Sequence, residues 1–465
     1  MERSFDAILV GAGQAVPSLA GRLTNAGWKI AVIERDQIGG TCVNYGCTPT
    51  KAMVASAKAA HTALQGGDYG FDSIADVHVD LKRVKARKDT IVGNSRGSVT
   101  KWLAGMEGCT LLHGTASFEA PDRMRVGDDV LIAKKIFLNV GARPRIPDMP
   151  GANSVPFLTS STILELERAP EHLIVVGGSF VGLEFAQMFR RFGSQVTVVE
   201  RQPHLLVNED EDVCEGVYEA LEAEGIHFRL RAECIRLAQR DGRTVVHVDC
   251  EEGSPDEIGS DVLLAVGRVP NTDLLNPEKA GLKLDKHGFI EVDDQLRTSV
   301  EGIWALGDCN GRGAFTHTSY NDFEILAANL LDGEPRRVSD RIPVYALYTD
   351  PPLGRVGMNE REVRERGKPA LVGKRPMTKV ARAIEKGETR GFMKVLVDAQ
   401  TDEILGASIL GVGGDEAIHC IVTAMYAGKK ARELKQASLM RHSVHIHPTV
   451  AELIPTVFGE LKPLT

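Results

Sequence analysis

Short apolar runs, each punctuated by glycine and followed by a longer amphipathic stretch, occur twice in this chain, and their spacing predicts two copies of one βαβ unit. In the first, Asp6 to Val10 reads as a buried strand, Gly11-Ala-Gly13-Gln-Ala-Val16 as a tight turn, the stretch to about Ala26 as an amphipathic helix, and Lys29 to Ile33 as a second strand ending at Glu34. In the second, Leu173 to Val176 leads into Gly177-Gly-Ser179-Phe-Val-Gly182, a helix through Phe192, and a strand from Gln195 to Val199 ending at Glu200. From Gly11 to Glu34 and from Gly177 to Glu200 the interval is the same, close to the ~20 residues expected of a carboxylate that binds a ribose hydroxyl. Small residues let the backbone approach a pyrophosphate, and a helix N-terminus offers free N–H groups and positive potential. One such turn is a weak signal; two in register predict paired dinucleotide sites in doubly wound α/β domains.

Both turns depart from the three-glycine pattern. Val16 stands at the third position of the first turn, where it is expected to crowd helix–strand packing. Ser179 stands at the second position of the other, where it faces the pyrophosphate and is expected to weaken binding. Glu200 favours a free 2′-hydroxyl, and so NAD, because a 2′-phosphate would meet like charge; Arg201 hints the other way or is a surface residue.

Between the two units lies Gly39-Gly-Thr-Cys-Val-Asn-Tyr-Gly-Cys-Thr-Pro-Thr-Lys51. Cys42 and Cys47 are close enough to close reversibly into a disulfide, which would make a two-electron redox site; the other reading is a pair of buried thiols. Gly39, Gly40 and Gly46 allow close backbone approach, and Pro49 suits the first turn of a helix beginning near Cys47. Such a helix start lowers a thiol pKa, and Lys51, one turn on, adds positive charge to the same face.

The 465 residues exceed one core of usual size, so about three domains are expected. No apolar run approaches the ~18 residues of a membrane span. The opening Met1-Glu-Arg-Ser-Phe-Asp runs straight into the first strand pattern without a basic leader, which reads as cytoplasmic. A net charge of −8 disfavours nucleic acid as a partner. Beyond the close pair, Cys109, Cys214, Cys234, Cys250, Cys309 and Cys420 form neither a secreted disulfide framework nor zinc spacing, and are read as packing residues. Lys82-Arg-Val-Lys-Ala-Arg-Lys88, on a predicted helix, and Lys429-Lys-Ala-Arg432 are read as solvated faces, or as docking places for an acidic lipoyl-bearing protein.

With the thiol pair between two nucleotide folds, the chain resembles the class I pyridine nucleotide–disulfide oxidoreductases along essentially its whole length. This family includes dihydrolipoamide dehydrogenase, glutathione reductase and mercuric reductase. The marks are the 39–51 stretch, Val-Gly-Arg-Val-Pro-Asn (266–271), Ala-Leu-Gly-Asp (305–308) and His-Pro-Thr-Val-Ala-Glu (447–452). The resemblance implies two Rossmann-like domains and a C-terminal α+β dimerisation domain: 1–145 with 270–340 for FAD, 146–269 for NAD, and 341–465 for the interface of a homodimer. It implies that Gly11, Gly13 and Glu34 hold the ADP half of FAD. Gly40, Thr41, Lys51, Ala116 and Gly141 then lie along the same site, Asp308 near the ribityl chain and pyrophosphate, and Thr316 and His317 beside the flavin. Asp308 also has a plainer reading as a turn residue after Gly307. Gly177, Ser179, Gly182, Glu200 and Gly267 are implied for NAD. Cys47 becomes the flavin-side thiol and Cys42 the outer thiol that exchanges with substrate sulfur. The partner subunit's His447, oriented by Glu452, becomes the proton acceptor, and Lys51 with Glu184 an ion pair beside the flavin. His442 and His445 near His447 raise the question of a metal; none is expected, since alternate residues of an extended segment face opposite ways.

The cysteines include no vicinal pair of the kind mercuric reductases use near their C-terminus, although Phe-Thr-His-Thr-Ser (315–319) and Tyr-Thr-Asp-Pro-Pro-Leu-Gly-Arg-Val-Gly (348–357) resemble a branch of that type. Glu200 disfavours an NADPH-linked glutathione reductase. Together with the His-x-His-Pro run at 445–448 it points to an NAD-linked dihydrolipoamide dehydrogenase acting on a lipoyl carrier protein. Mercuric-type or other small-disulfide reduction, and a flavin-containing regulatory protein of little turnover, are the alternatives.

Overall fold

A computed structural model describes residues 1–71, 77–233, 235–248, 256–431 and 434–464 of the chain. Ala7–Val10 is apolar and buried at every position, and so is Ile30–Glu34 up to its last residue, the pattern of strands covered on both faces. They sit at the centre of a parallel five-stranded sheet ordered Ile303–Ala305, Ile136–Leu138, Ala7–Val10, Ile30–Glu34, Cys109–His113. Helix α1 (Val16–Asn25) connects the central pair, with Pro17 in its first turn. Val16 is fully buried there, in an apolar cluster with Ala12, Ala15, Leu19 and Ala20. The expected crowding is met by small neighbours: the alanines leave room for the branched side chain. Two long helices follow: α2 (Cys47–Leu64), which starts at Cys47 with Pro49 in its first turn as the sequence predicts, and α3 (Leu81–Ala104). Asp80 caps α3 by accepting from Lys82 N and Arg83 N at 3.0 and 3.2 Å.

The basic run on α3 is only in part a solvated face. Lys82 is exposed, but Lys88 is buried and bound to Glu165 at 2.9 Å, Lys85 pairs with Asp89 and Glu165, and Arg87 donates to Ala52 O at 2.7 Å. Three of its five cations are therefore spent on the fold. In the other basic run Lys429 donates to Asp340 O, and Arg432 lies outside the described residues.

The second unit repeats the first. Helix α4 (Phe180–Arg191) follows the strand His172–Val176, which is central in a parallel sheet ordered Ile226–Arg229, Gln195–Val199, His172–Val176, Asp261–Leu264. The C-terminal part is a six-stranded antiparallel sheet ordered Val344–Leu347, Leu353–Gly357, Ile404–Leu410, Phe392–Asp398, Ala370–Pro376, Lys462–Pro463, with the helix Gly414–Lys430 packed on it. Strands and helices thus segregate as in an α+β layer. Among the described residues no helix is long and apolar enough to cross a membrane.

Candidate active site

The thiol loop is built directly onto the first glycine turn. Gly39 and Gly40 have φ of +99° and +61°, and a Cβ at Gly40 would lie 2.9 Å from Gly13 Cα, so only glycine fits between the two loops. Gly39 N donates to Ala12 O at 2.9 Å, and Asn44 Nδ2 donates to Ile38 O and Gly40 O at 3.0 Å. This pins the short helix Gly40–Asn44 that carries Cys42 and delivers Cys47 to the start of α2.

The two thiols are not joined, and they differ. Cys42 donates a hydrogen bond to Cys47, which lowers the Cys47 pKa to about 6 against the opposing effect of burial. Thr316 Oγ1, 3.1 Å from Cys47 Sγ, and the Lys51 charge lower it further. The same hydrogen bond, then burial and the charge of Cys47, hold Cys42 protonated well above the usual thiol range. Thr316 opens helix α5 (Thr316–Ala327), so the N-termini of α2 and α5 converge on one sulfur. Lys51 Nζ lies 2.5 Å from Glu184 Oε2, an ion pair between α2 and α4 in which Glu184 is buried.

A cavity of about 910 Å³ runs from the glycine turn to these thiols. It is lined by Gly11, Gly13, Glu34, Gly40, Thr41, Cys42, Cys47, Lys51, Ala116, Gly141, Glu184, Asp308, Thr316 and His317, so the structure brings together every residue expected at the flavin. Its shape suits a long two-ended group such as FAD: a cradle that a Cβ at Gly11 or Gly13 would fill against Asn139, a carboxylate at one end, and a thiol and an ammonium at the other. Burial raises the Asp308 pKa and the nearby Arg268 charge, 3.6 Å away, opposes it. His317 Nε2 lies 2.6 Å from Val344 O and its ring stacks on Phe315; burial keeps it neutral below the usual histidine range. Asn139, Arg268 and Tyr348 also line the cavity. Arg268 stands in the 266–271 stretch and Tyr348 opens the 348–357 stretch, but neither pattern gives them a role, and no local pattern marks Asn139; each reaches the site from a distant strand or loop.

Glu34 Oε2 accepts from Ala12 N at 2.7 Å and its Oε1 from Asp36 N at 2.9 Å; Glu200 accepts in the same way from Gly178 N at 2.7 Å and Gln202 N at 2.8 Å. Gly11 N and Gly177 N donate to Ile33 O and Val199 O at 2.7 and 2.9 Å. The repeat read from spacing is therefore repeated atom for atom. Ser179 is the exposed N-cap residue of α4, and its hydroxyl makes no capping bond. A Cβ at Gly182 would run into Gly177 O, and Gly267 has φ +107° with open space around it. Gly177, Ser179, Gly182, Glu200 and Gly267 lie outside the thiol cavity, whereas Phe180 and Val181 of α4 reach into its lining.

His447 Nδ1 lies 2.9 Å from both carboxylate oxygens of Glu452, and the imidazole is exposed. This pair also lies outside the cavity of its own chain. Among the described residues, the group most like a metal cage is Asp210, Asp212 and Glu360, and the Lys394 amine sits within it at 2.6 to 2.8 Å from each. Cys214 and Cys309 are buried, which raises each to about 12, and Cys109 and Cys420 are half-buried and also raised. Cys234 and Cys250 lie outside the described residues.

Residues 5–322 match the family model described as pyridine nucleotide-disulphide oxidoreductase, and residues 344–458 the dimerisation domain of the same description. The chain is 34% identical to the probable pyridine nucleotide-disulfide oxidoreductase RclA of Escherichia coli, covering 98% of this chain and 99% of that one. The solved structure of that HOCl-induced flavoprotein disulfide reductase superposes with a TM-score of 0.88 at 34% identity, over 98% of this chain and 99% of the other. A dihydrolipoyl dehydrogenase of Haloferax volcanii is 32% identical over 96% of this chain and 94% of its own length. A mercuric reductase of Staphylococcus aureus is 31% identical over 92% and 78%.

Proposed function

The chain belongs to the pyridine nucleotide–disulphide oxidoreductase family of flavoproteins, and from that premise we propose that it oxidises dihydrolipoamide, presented on a lipoyl carrier protein, with NAD as acceptor. The observation that carries this reading is the pairing of an acidic Cys47 with a protonated Cys42 in one cavity with Lys51 and Glu184. Bound FAD supplies two-electron exchange between the nicotinamide and the thiol pair.

The chain's own residues do the rest. Gly11, Gly13 and Glu34 bind the ADP half, Asp308 holds the ribityl side, and Lys51, fixed by Glu184, places positive charge where reduction adds negative charge. With Cys42 and Cys47 joined, one substrate thiolate attacks Cys42 Sγ and releases Cys47 as the thiolate that Thr316 and the two helix starts stabilise. The second substrate sulfur then attacks the mixed disulfide at the substrate sulfur, closing the product disulfide and releasing Cys42. The partner subunit's His447, oriented by Glu452, takes up the substrate's protons one at a time, the first passing to Cys42 as it is released and the second leaving to solvent. Glu200, held by Gly178 N and Gln202 N, meets the nicotinamide cofactor's ribose and favours NAD. The strand orders support assigning 1–145 with 270–340 to the flavin, 146–269 to the nicotinamide and 341–465 to the homodimer interface.

A panel of dihydrolipoamide, glutathione disulfide and mercuric ion, each assayed with its matching NAD(H) and NADP(H) form, tests the reading. Dihydrolipoamide with NAD is expected to turn over fastest. Faster reduction of glutathione disulfide by NADPH would replace this substrate with a small disulfide, and a yellow protein with no turnover in any arm would indicate a regulatory flavoprotein.

A further inference from the structure

Tyr348 follows the edge strand Val344–Leu347 of the C-terminal sheet, yet its side chain lines the thiol cavity. Its placement is set by one face of α4. Glu184, Gln187 and Arg191, at i, i+3 and i+7, share that face, and all three bind the segment 348–350. Glu184 Oε1 accepts from Tyr348 N at 3.0 Å. Gln187 Oε1 accepts from Asp350 N at 2.8 Å while its Nε2 donates to Asp350 O at 2.9 Å. Arg191, doubly bonded to Glu224, reaches Asp350 Oδ2 at 2.9 Å, and Lys58 of α2 meets the other oxygen at 3.1 Å. With its backbone held at these points, the Tyr348 ring lies 4.5 Å from Lys51 Nζ. One residue thus holds both members of the ion pair, Glu184 through its N–H and Lys51 through its aromatic face. Glu184 and Tyr348 also line a second cavity of about 260 Å³.

We propose that Tyr348 is a positioning residue of the thiol site: its ring fixes the Lys51 ammonium on Glu184 and so sets the charge that Cys47 feels. This rests on the reading of Cys47 as the working thiolate. The groups facing Cys47 are Cys42, Thr316, Lys51, Arg268 and Tyr348 itself. Burial, and then the charges of Asp415, Glu184, Cys47 and Glu416 that face it, keep the Tyr348 phenol protonated. The ring therefore acts on Lys51 as a neutral π face.

The test follows alkylation of Cys47 by iodoacetamide against pH, read by mass spectrometry of its peptide, in the reduced, flavin-loaded protein carrying Cys42→Ser. Tyr348→Leu keeps the N–H to Glu184 and removes the aromatic face; the midpoint is expected to rise by roughly half a unit to one unit. Tyr348→Phe keeps the face and is expected to keep the midpoint, and Tyr348→Met replaces the leucine variant should that protein lose its flavin. An unshifted midpoint in the aliphatic variant, or an equal rise in the phenylalanine variant, overturns the proposal. Lys51→Met distinguishes the two levels: if it leaves the midpoint in place, the underlying reading of Lys51 fails. If Lys51→Met raises the midpoint and Tyr348→Leu does not, only the role of Tyr348 fails.

Discussion

Cys42 and Cys47 are the same functional group five residues apart, and the fold drives their acidities in opposite directions. A hydrogen bond between them has one donor, so the sulfur that accepts it gains acidity and the sulfur that gives it loses acidity. Thr316 adds to the lowering at Cys47, which its hydroxyl reaches at 3.1 Å from 269 residues away. A lowered thiol pKa means more thiolate at neutral pH, so alkylation of reduced Cys47 is expected to climb with pH and be half-maximal near 6 rather than near 9. Thr316→Val keeps the shape and removes the donor. Loss of a hydrogen bond to a charged sulfur costs about 1.5–3 kcal/mol, which raises that midpoint by roughly one to two units. A pH–rate profile of Cys47 alkylation checks both statements, and an unmoved midpoint in the valine variant would refute the role of Thr316.

At the scale of elements, the two βαβ units were legible because their chemistry is local. The period of the apolar positions, the glycine turn and the closing acid lie within one short stretch of chain, and the strands begin within a residue of where the pattern predicts them. The start of α2 at Cys47 was legible for the same reason, from Pro49 and the glycines before it. Packing partners were not legible. Sequence alone could not tell that Val16 would find Ala12, Ala15 and Ala20 around it, nor that Lys88 on a basic run would turn inward to Glu165. Asn139 went unmarked, and Arg268 and Tyr348 went without a role inside the motifs that contain them, because their places depend on contacts between distant segments. Val16 offers a direct measurement of this difference. If the valine were crowded, Val16→Gly would relieve strain and raise the melting temperature. Because it is fully buried in a complementary cluster, the substitution is expected to remove packing and loosen the helix start at a cost of about 2 to 4 kcal/mol. That corresponds to a fall of roughly 2 to 4 °C in Tm by scanning calorimetry.

At the scale of the molecule, the thiols and the imidazole that would serve them are joined in function but do not share one cavity of a single chain. Cys42 and Cys47 lie in the cavity, whereas His447 and Glu452 stand outside it on the C-terminal domain, beside Val444 and Ile446, which are 99% and 79% exposed. Apolar side chains this bare next to an exposed His–Glu pair are what a subunit face presents, and the family's dimerisation domain covers residues 344–458. A site completed across that face makes a prediction that no single-chain site shares. Chains carrying His447→Ala and chains carrying Cys42→Ser are each expected to be inactive as homodimers. Mixed, dissociated and reassembled in equal amounts, half of the dimers are hybrids. Each hybrid pairs an intact Cys42 with the intact His447 of the other subunit at one of its two sites, so activity returns to about a quarter of the parent value. Were His447 to serve the cavity of its own chain, every chain in the mixture would still carry one lesion, and the mixture would stay as inactive as its components.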